Sequence, residues 1–200
     1  MSAQVLSPED QARANLYGLL ARLFYAPPDE ELLRKLAQAE DIHAADEESA
    51  IPRTWKELKV AAADSDPESV REEYESVFIG TGKASVTLYS TAYMAKADSS
   101  RPARHPLVHL RDFLAGRELA RKQGVHEPED HFAGLCEVMR HLVGENDAAA
   151  QREFYESFIG PSASGLCNAI TSSPRVRFYA SLARFTAAFL ELEQEAVKMD

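Results

Sequence analysis

The stretch Pro128-Glu129-Asp130-His131-Phe132-Ala133-Gly134-Leu135-Cys136-Glu137-Val138-Met139-Arg140-His141-Leu142-Val143 decides the fold class. Phe132, Leu135, Cys136, Met139, Leu142 and Val143 stand at i, i+3, i+4, i+7, i+10 and i+11. That spacing draws one apolar stripe along a helix and does not fit a strand, whose period is two. The spacing predicts a helix over about 128–143, with Pro128 at its start.

The same period extends in both directions. Ser7 is a candidate N-cap, with Pro8 in the first turn and Asp10 three residues on. Ala12, Leu16, Leu19, Leu20 and Leu23 then line one face until Pro27-Pro28 stops the helix. Asp29 opens a second helix through about Ala39, and a third spans about 48–63 around Trp55 and Leu58. Asp66-Pro67-Glu68 starts a fourth, with Val70, Tyr74, Val77 and Phe78 on one side. Residues 80–88 read as a loop, 89–96 as a short helix, and 98–104 as a second loop of turn formers. A helix over about 106–122 turns Leu107, Leu110, Phe113 and Leu114 inward and ends at Gly124. Shorter helices fall near 147–158 and 162–171. The last follows Ser173-Pro174 and carries Phe178, Leu182, Phe185, Phe189 and Leu192. No set of alternating strands competes. The expected architecture is all-α: a compact bundle of nine or ten helices, forming a single domain over residues 1–200. One internal echo stands out: Tyr74-Glu75-Ser76-Val77-Phe78-Ile79-Gly80 resembles Phe154-Tyr155-Glu156-Ser157-Phe158-Ile159-Gly160. A single pair does not make a repeat architecture, and two amphipathic helices ended by Gly account for it.

Composition bounds the function. A chain of 200 residues, 45% hydrophobic and 27% charged, is ordinary for a globular domain with a sizeable core. No apolar run reaches the roughly 18 residues of a membrane span. The first ten residues lack the basic cluster and apolar core of a signal peptide, so the protein is expected in the cytoplasm. Its net charge of −10 disfavours nucleic acid and favours basic peptides. That charge is uneven: residues 40–75 hold twelve Asp/Glu against four Lys/Arg, and residues 101–122 hold six Lys/Arg against two Asp/Glu. Cys136 and Cys167 form no CxxC motif and read as buried thiols of a reducing compartment.

Enzymatic signatures fail on inspection. Gly82-Lys83 lacks the first glycine and the hydroxyl of a phosphate loop: Val77 and Ala84 stand there instead. Gly160-Pro161-Ser162-Ala163-Ser164-Gly165 has one residue too many for a nucleophile elbow and sits among helices. His105 and His109, like Glu137 and His141, lie at i, i+4, a spacing that places two metal ligands on one helical face. Neither pair belongs to an HExxH or a paired ExxH set, so helix-surface histidines compete with a metal-binding or enzymatic protein built on them.

Three segments carry a resemblance. Leu16-Tyr17-Gly18-Leu19-Leu20-Ala21-Arg22-Leu23-Phe24-Tyr25-Ala26-Pro27-Pro28 resembles the first helix of the TorD/DmsD/NarJ-like redox enzyme maturation chaperones. Glu73-Tyr74-Glu75-Ser76-Val77-Phe78-Ile79-Gly80, followed by Leu88-Tyr89-Ser90-Thr91-Ala92-Tyr93, looks like their aromatic-x-x-Leu-Phe-x-Gly segment and the S-x-Y turn after it. Gly124-Val125-His126-Glu127-Pro128-Glu129-Asp130-His131 is similar to their E-P-x-D-H signature. Tyr74 stands where many relatives carry Trp, Val77 where they carry Leu, and the loop at 83–88 lacks the prolines common there.

The resemblance implies a non-enzymatic chaperone, monomer or homodimer, with no cofactor of its own. Its partners would be the catalytic subunit of a molybdopterin-containing oxidoreductase and that subunit's twin-arginine signal. A receptor for such a signal needs an apolar groove with carboxylates at one end. Glu127, Glu129, Asp130 and His131 are the candidates for the basic part of the peptide, and Tyr74, Val77 and Phe78 for the apolar part. The last three also fit a core face, and Asp130 also fits a helix cap. Elemental analysis after dialysis against chelator should find no stoichiometric zinc or iron. One tightly held ion per chain would promote the histidine pairs to a metal site.

Overall fold

The computed structural model describes residues 6–43, 49–80, 84–94, 105–120 and 127–199. These carry α1 (Pro8–Tyr25), α2 (Glu30–Ala37), α3 (Ala50–Ala63), α4 (Pro67–Tyr74), α5 (Pro106–Gly116), α6 (Phe132–Gly144), α7 (Ala148–Phe154), α8 (Gly160–Thr171) and α9 (Phe178–Met199). A π turn, Glu75–Ile79, continues α4, and another, Tyr155–Ile159, joins α7 to α8. The described residues therefore hold eight continuous helical rods, against the nine or ten expected. They contain no strand, only one isolated antiparallel bridge between Tyr89 and His131.

Three helix starts were legible, while the helix expected from Pro128 begins at Phe132. Ser7, Asp29 and Asp66 each accept a hydrogen bond from a backbone N–H three residues on, at 3.0, 2.8 and 2.9 Å. These bonds satisfy donors that an uncapped helix leaves open. Several ends differ from expectation. The helix expected to run through 106–122 stops at Gly116, because Glu118 turns left-handed (φ 57°) and the Leu119 N–H reaches back to the Leu114 carbonyl at 3.0 Å. Gly124 and the loop at 98–104 lie outside the described residues. Of the helix expected over 89–96, residues 89–94 show one 3₁₀ turn, Ser90–Ala92, and residues 95 and 96 lie outside the described residues.

The framework is set by α9, whose side chains are buried on almost every side between Phe178 and Leu190. It packs against α3, α4, α7, α8 and the second π turn, as a helix apolar all round must. The expected face was slightly misplaced: Leu192 is 49% exposed while Glu193 is buried. At about 100° per residue, Glu193 lies near the middle of the buried arc and Leu192 at its edge. On α1 the same holds, since Ala12 is exposed and Ala14, Tyr17, Ala21 and Phe24 join Leu20 and Leu23 inside. On α6 every residue of the predicted stripe is buried.

Two carboxylates tie α9 in place. At its N-terminus Glu73 accepts backbone N–H bonds from Arg177, Phe178 and Tyr179, the last at 2.7 Å. Further along, buried Glu193 takes Arg13 in a two-pronged pair, Nε to Oε1 at 2.8 Å and Nη2 to Oε2 at 3.0 Å. Tyr17 donates to the same carboxylate at 3.0 Å, and Gln151 accepts from Arg13 at 3.0 Å. Four helices, α1, α6, α7 and α9, meet through this network, because Gln151 in turn donates to the Leu142 carbonyl. Both cysteines are buried, and burial pushes the Cys136 thiol up and the Cys167 thiol up to about 12.

The echo has a structural counterpart. Both copies form π turns, closed by the Gly80 N–H on the Glu75 carbonyl and the Gly160 N–H on the Tyr155 carbonyl. Gly ends the helix only in the first, where Gly80 takes φ 65°; in the second the chain continues into α8. Glu193→Ala leaves the Arg13 guanidinium with Asp10 at 2.9 Å and Gln151 at 3.0 Å, takes the acceptor from the buried Tyr17 hydroxyl, and should cost about 2 kcal/mol, a typical loss for removing one partner of a charged hydrogen bond. Urea unfolding measures this, and a loss below about 1 kcal/mol would mean the network is only peripheral.

Candidate functional site at the start of the sixth helix

The segment from Ala84 to Tyr93 is a strap laid across the entrance to α6. Val86, Leu88 and Ser90 face inward and alternate with outward residues, as in any extended chain. The Phe132 N–H donates to the Leu88 carbonyl and the Ser90 N–H to the Asp130 carbonyl, each at 2.8 Å. Tyr93 anchors the far end with its hydroxyl on the Thr87 carbonyl at 2.8 Å. It lies close to Gly165: a Cβ there would meet Tyr93 Cβ and Cδ1 at 3.0 Å, so a larger residue would have to push the tyrosine aside by a few tenths of an ångström. The alternation turns Tyr89 outward, directly beside His131.

His131 is buried and caps α6, its Nδ1 accepting the Ala133 N–H at 3.3 Å. A ring nitrogen that accepts carries no proton, so the imidazole is neutral in this geometry. Burial also holds its pKa below the usual histidine range, against the opposing pull of Glu127 and Asp130. Two exposed tyrosines flank the ring edge-on: Tyr89 at 5.8 Å and Tyr25 at 6.4 Å between centroids. Tyr25 closes α1 just before Pro27-Pro28. The Tyr74 hydroxyl fixes this terminus by donating to the Tyr25 carbonyl at 3.0 Å, a group the end of α1 leaves without an intrahelical partner.

One acidic group stands at the cleft and two more lie beside it in the chain. The Tyr89 hydroxyl donates to Glu127 at 2.8 Å, and this bond raises the tyrosine's pKa. Arg111 of α5 donates to Glu129 from Nε at 3.2 Å and Nη2 at 3.1 Å. Asp130 is buried and accepts the Thr91 hydroxyl.

The sequence candidates thus divide. Glu127, Glu129, Asp130 and His131 come together at one place. Tyr74, Val77 and Phe78 are buried, with Tyr74 tilted against Tyr179 at 5.6 Å and Phe78 edge-on to it at 5.0 Å. Burial pushes the Tyr74 hydroxyl up to about 12. Helix capping is corrected for Asp130: α6 begins at Phe132, its cap is His131, and its first turn holds no acidic residue. Tyr25, Tyr89, Thr91 and Arg111 were not singled out from the sequence. Tyr25 gave a signal, being a large apolar residue off the buried face at a helix end.

The other pairs go elsewhere. His105 caps α5 through the Leu107 N–H at 3.3 Å, and His109 packs on Phe158 at 5.0 Å. Glu137 pairs with Arg140 at 3.4 Å. Among the described residues no three His, Cys, Asp or Glu side chains converge as a metal cluster would require.

The fold and the cleft define an all-helical protein with an aromatic surface site and a carboxylate beside it. The family model described as nitrate reductase delta subunit matches residues 44–168, which hold every sequence-predicted site residue, and the chain belongs to that family. It is similar along nearly its whole length to Chaperone protein TorD of Shewanella loihica, with 26% identity covering 96% of this chain and 95% of that one. Chaperone protein TorD of Colwellia psychrerythraea is 20% identical over 100% and 97%. No helix among the described residues is long and apolar enough to cross a membrane.

The depressed pKa of His131 has a consequence for stability. Below the unfolded value of about 6.5 the unfolded chain takes up a proton that the folded chain resists. The histidine's contribution is therefore complete above that pH and is lost as pH falls. Asn also caps helices well, so His131→Asn should flatten the loss of stability below about pH 6.5. Urea midpoints measured across that range test this; parallel curves for the two proteins would contradict it.

Proposed function

We propose that this protein is a chaperone for a redox enzyme. It binds the basic start of a twin-arginine signal in the Tyr25–His131–Tyr89 cleft and holds the catalytic subunit of a molybdopterin-containing oxidoreductase. Holding delays export until cofactor insertion in the cytoplasm is complete. The relatives named Chaperone protein TorD support the general role. The observation that carries the site is the pairing of two exposed tyrosines with a carboxylate around a neutral imidazole.

Each part suits a guanidinium. A cation is attracted to tyrosine ring faces. Glu127 offers a charge-assisted hydrogen bond. A neutral His131 adds no repulsion, which a protonated one would. Buried Tyr74 fixes the end of α1 through its hydroxyl, Phe78 packs on the Tyr74 ring and the Val77 carbonyl accepts the Val86 N–H of the strap, so these three act on the peptide's apolar part by holding Tyr25 and the strap rather than by lining an open groove.

Calorimetric titration with a twin-arginine signal peptide tests the reading. Glu127→Gln and Tyr89→Phe should each weaken binding about three- to tenfold, the range for a partly exposed charge contact. Asp130→Asn, which keeps an acceptor for Thr91, should leave melting nearly unchanged. Affinity should fall with added salt. Equal affinities for wild type and Glu127→Gln, without salt dependence, would exclude the cleft as the site of the basic residues.

A further inference from the structure

Tyr89, one wall of the cleft, is carried by a segment that belongs to no sheet. Its bridge to His131 is isolated, and a single extended pairing is marginal by itself. On the near side of Tyr89 the strap is held by buried Val86 and Leu88, and by the Phe132 N–H on the Leu88 carbonyl at 2.8 Å. On the far side Asp130 holds it twice. Its backbone carbonyl accepts the Ser90 N–H at 2.8 Å, and its side-chain Oδ2 accepts the Thr91 hydroxyl. The segment 130–132 thus grips the strap on both sides of the tyrosine.

The bond from Thr91 is the charged one of these ties. Asp130 is only 4% exposed and Thr91 is half-buried, so the bond is largely shielded from water, where a charge-assisted hydrogen bond is strongest. The same burial bears on what meets a client. Glu127 and Asp130 are both candidates from the sequence for a basic residue. Glu127 is less buried and bonds the outward-facing Tyr89 hydroxyl, whereas the Asp130 carboxylate is engaged by Thr91, inside the fold.

We propose that Thr91 is a positioning residue for client recognition: its bond to Asp130 latches the strap and holds Tyr89 at the cleft, and Asp130 serves the site through this latch rather than by meeting the client's charge. The inference rests on the peptide-binding reading above. It divides the signature from Glu127 to His131 by task, with Glu127 supplying charge and Asp130 supplying order. A wall held in place before the peptide arrives spares the ordering cost at the moment of binding.

A short synthetic peptide with two adjacent arginines followed by an apolar run is titrated at two salt concentrations into wild type, Thr91→Val, Thr91→Ser, Asp130→Asn and Glu127→Gln, and amide exchange is followed in the free proteins. Thr91→Val replaces the hydroxyl by a methyl group of similar size. It should weaken binding about two- to tenfold, the cost of ordering a side chain that the fold no longer holds, and should speed exchange at the Ser90 and Phe132 amides. Thr91→Ser keeps the donor and Asp130→Asn keeps an acceptor, so both should bind as wild type does. Asp130→Asn should also retain the salt dependence that Glu127→Gln reduces. A loss in Asp130→Asn equal to that in Glu127→Gln, with reduced salt dependence, overturns the latch and makes Asp130 a client contact. Wild-type affinity or unchanged exchange in Thr91→Val overturns it and leaves the cleft intact. Should Thr91→Val fail to fold, Thr91→Ser and Asp130→Asn decide between latch and contact by the same criteria. Absence of binding by wild type overturns the cleft and, with it, the role of the latch.

Discussion

A helix that is apolar on nearly all sides has to be enclosed, and enclosing α9 organises this protein. Its side chains between Phe178 and Leu190 are covered by α3, α4, α7 and α8. α1 joins through Tyr17, whose ring meets Phe189 at 5.0 Å. Burial of this kind supplies the driving force but little register, since apolar surfaces slide. Register comes from charge. Glu73 fixes where α9 begins, and Glu193 fixes its rotation against α1. Either carboxylate, moved by one position, would leave buried polar groups unpaired, which is costly in a low-dielectric interior.

The cleft inherits its geometry from that framework. Packing of α1 against α6, with Phe24 edge-on to Phe132 at 5.1 Å, brings the end of α1 beside the start of α6. Tyr25 and His131 are the next residues outward from that contact, so their approach follows from the core beneath them. The strap supplies Tyr89 by simple alternation. A surface site built from the ends of two packed helices and one pinned extended segment needs little further ordering before it binds.

Most of the fold was legible because it is local. The stripe on α6 and the caps Ser7, Asp29 and Asp66 declare themselves within a few residues. What failed was the rotation of faces. Ala12 and Leu192 satisfy the apolar pattern yet face solvent, while Glu193 breaks it and is buried, because Arg13, 180 positions away, neutralises it. No local window contains that information. The site was half legible for the same reason. Glu127 to His131 form a contiguous signature, whereas Tyr25, Thr91 and Arg111 reach it from distant parts of the chain through α1, the strap and α5.

The second π turn resolves a puzzle of phase. Ala150, Phe154, Phe158, Ser162, Leu166 and Ile170 are all buried and recur at every fourth position. On an uninterrupted α-helix such a row drifts roughly 40° per step and would wind more than halfway round the rod. The wider turn at Tyr155–Ile159 takes up an additional residue and brings the row part of the way back toward the core. The turn is therefore a place where the rod can change its residue count. Removing one residue from it would close the wide turn into ordinary helix and leave the faces of α7 and α8 in nearly their present relation, because the π turn already falls about one α-helical step short. Removing one residue from the α-helical stretch on either side would instead turn the two faces about 100° apart. Among related chains, a change of length in this rod is to be expected at the turn before it is found in α7 or α8.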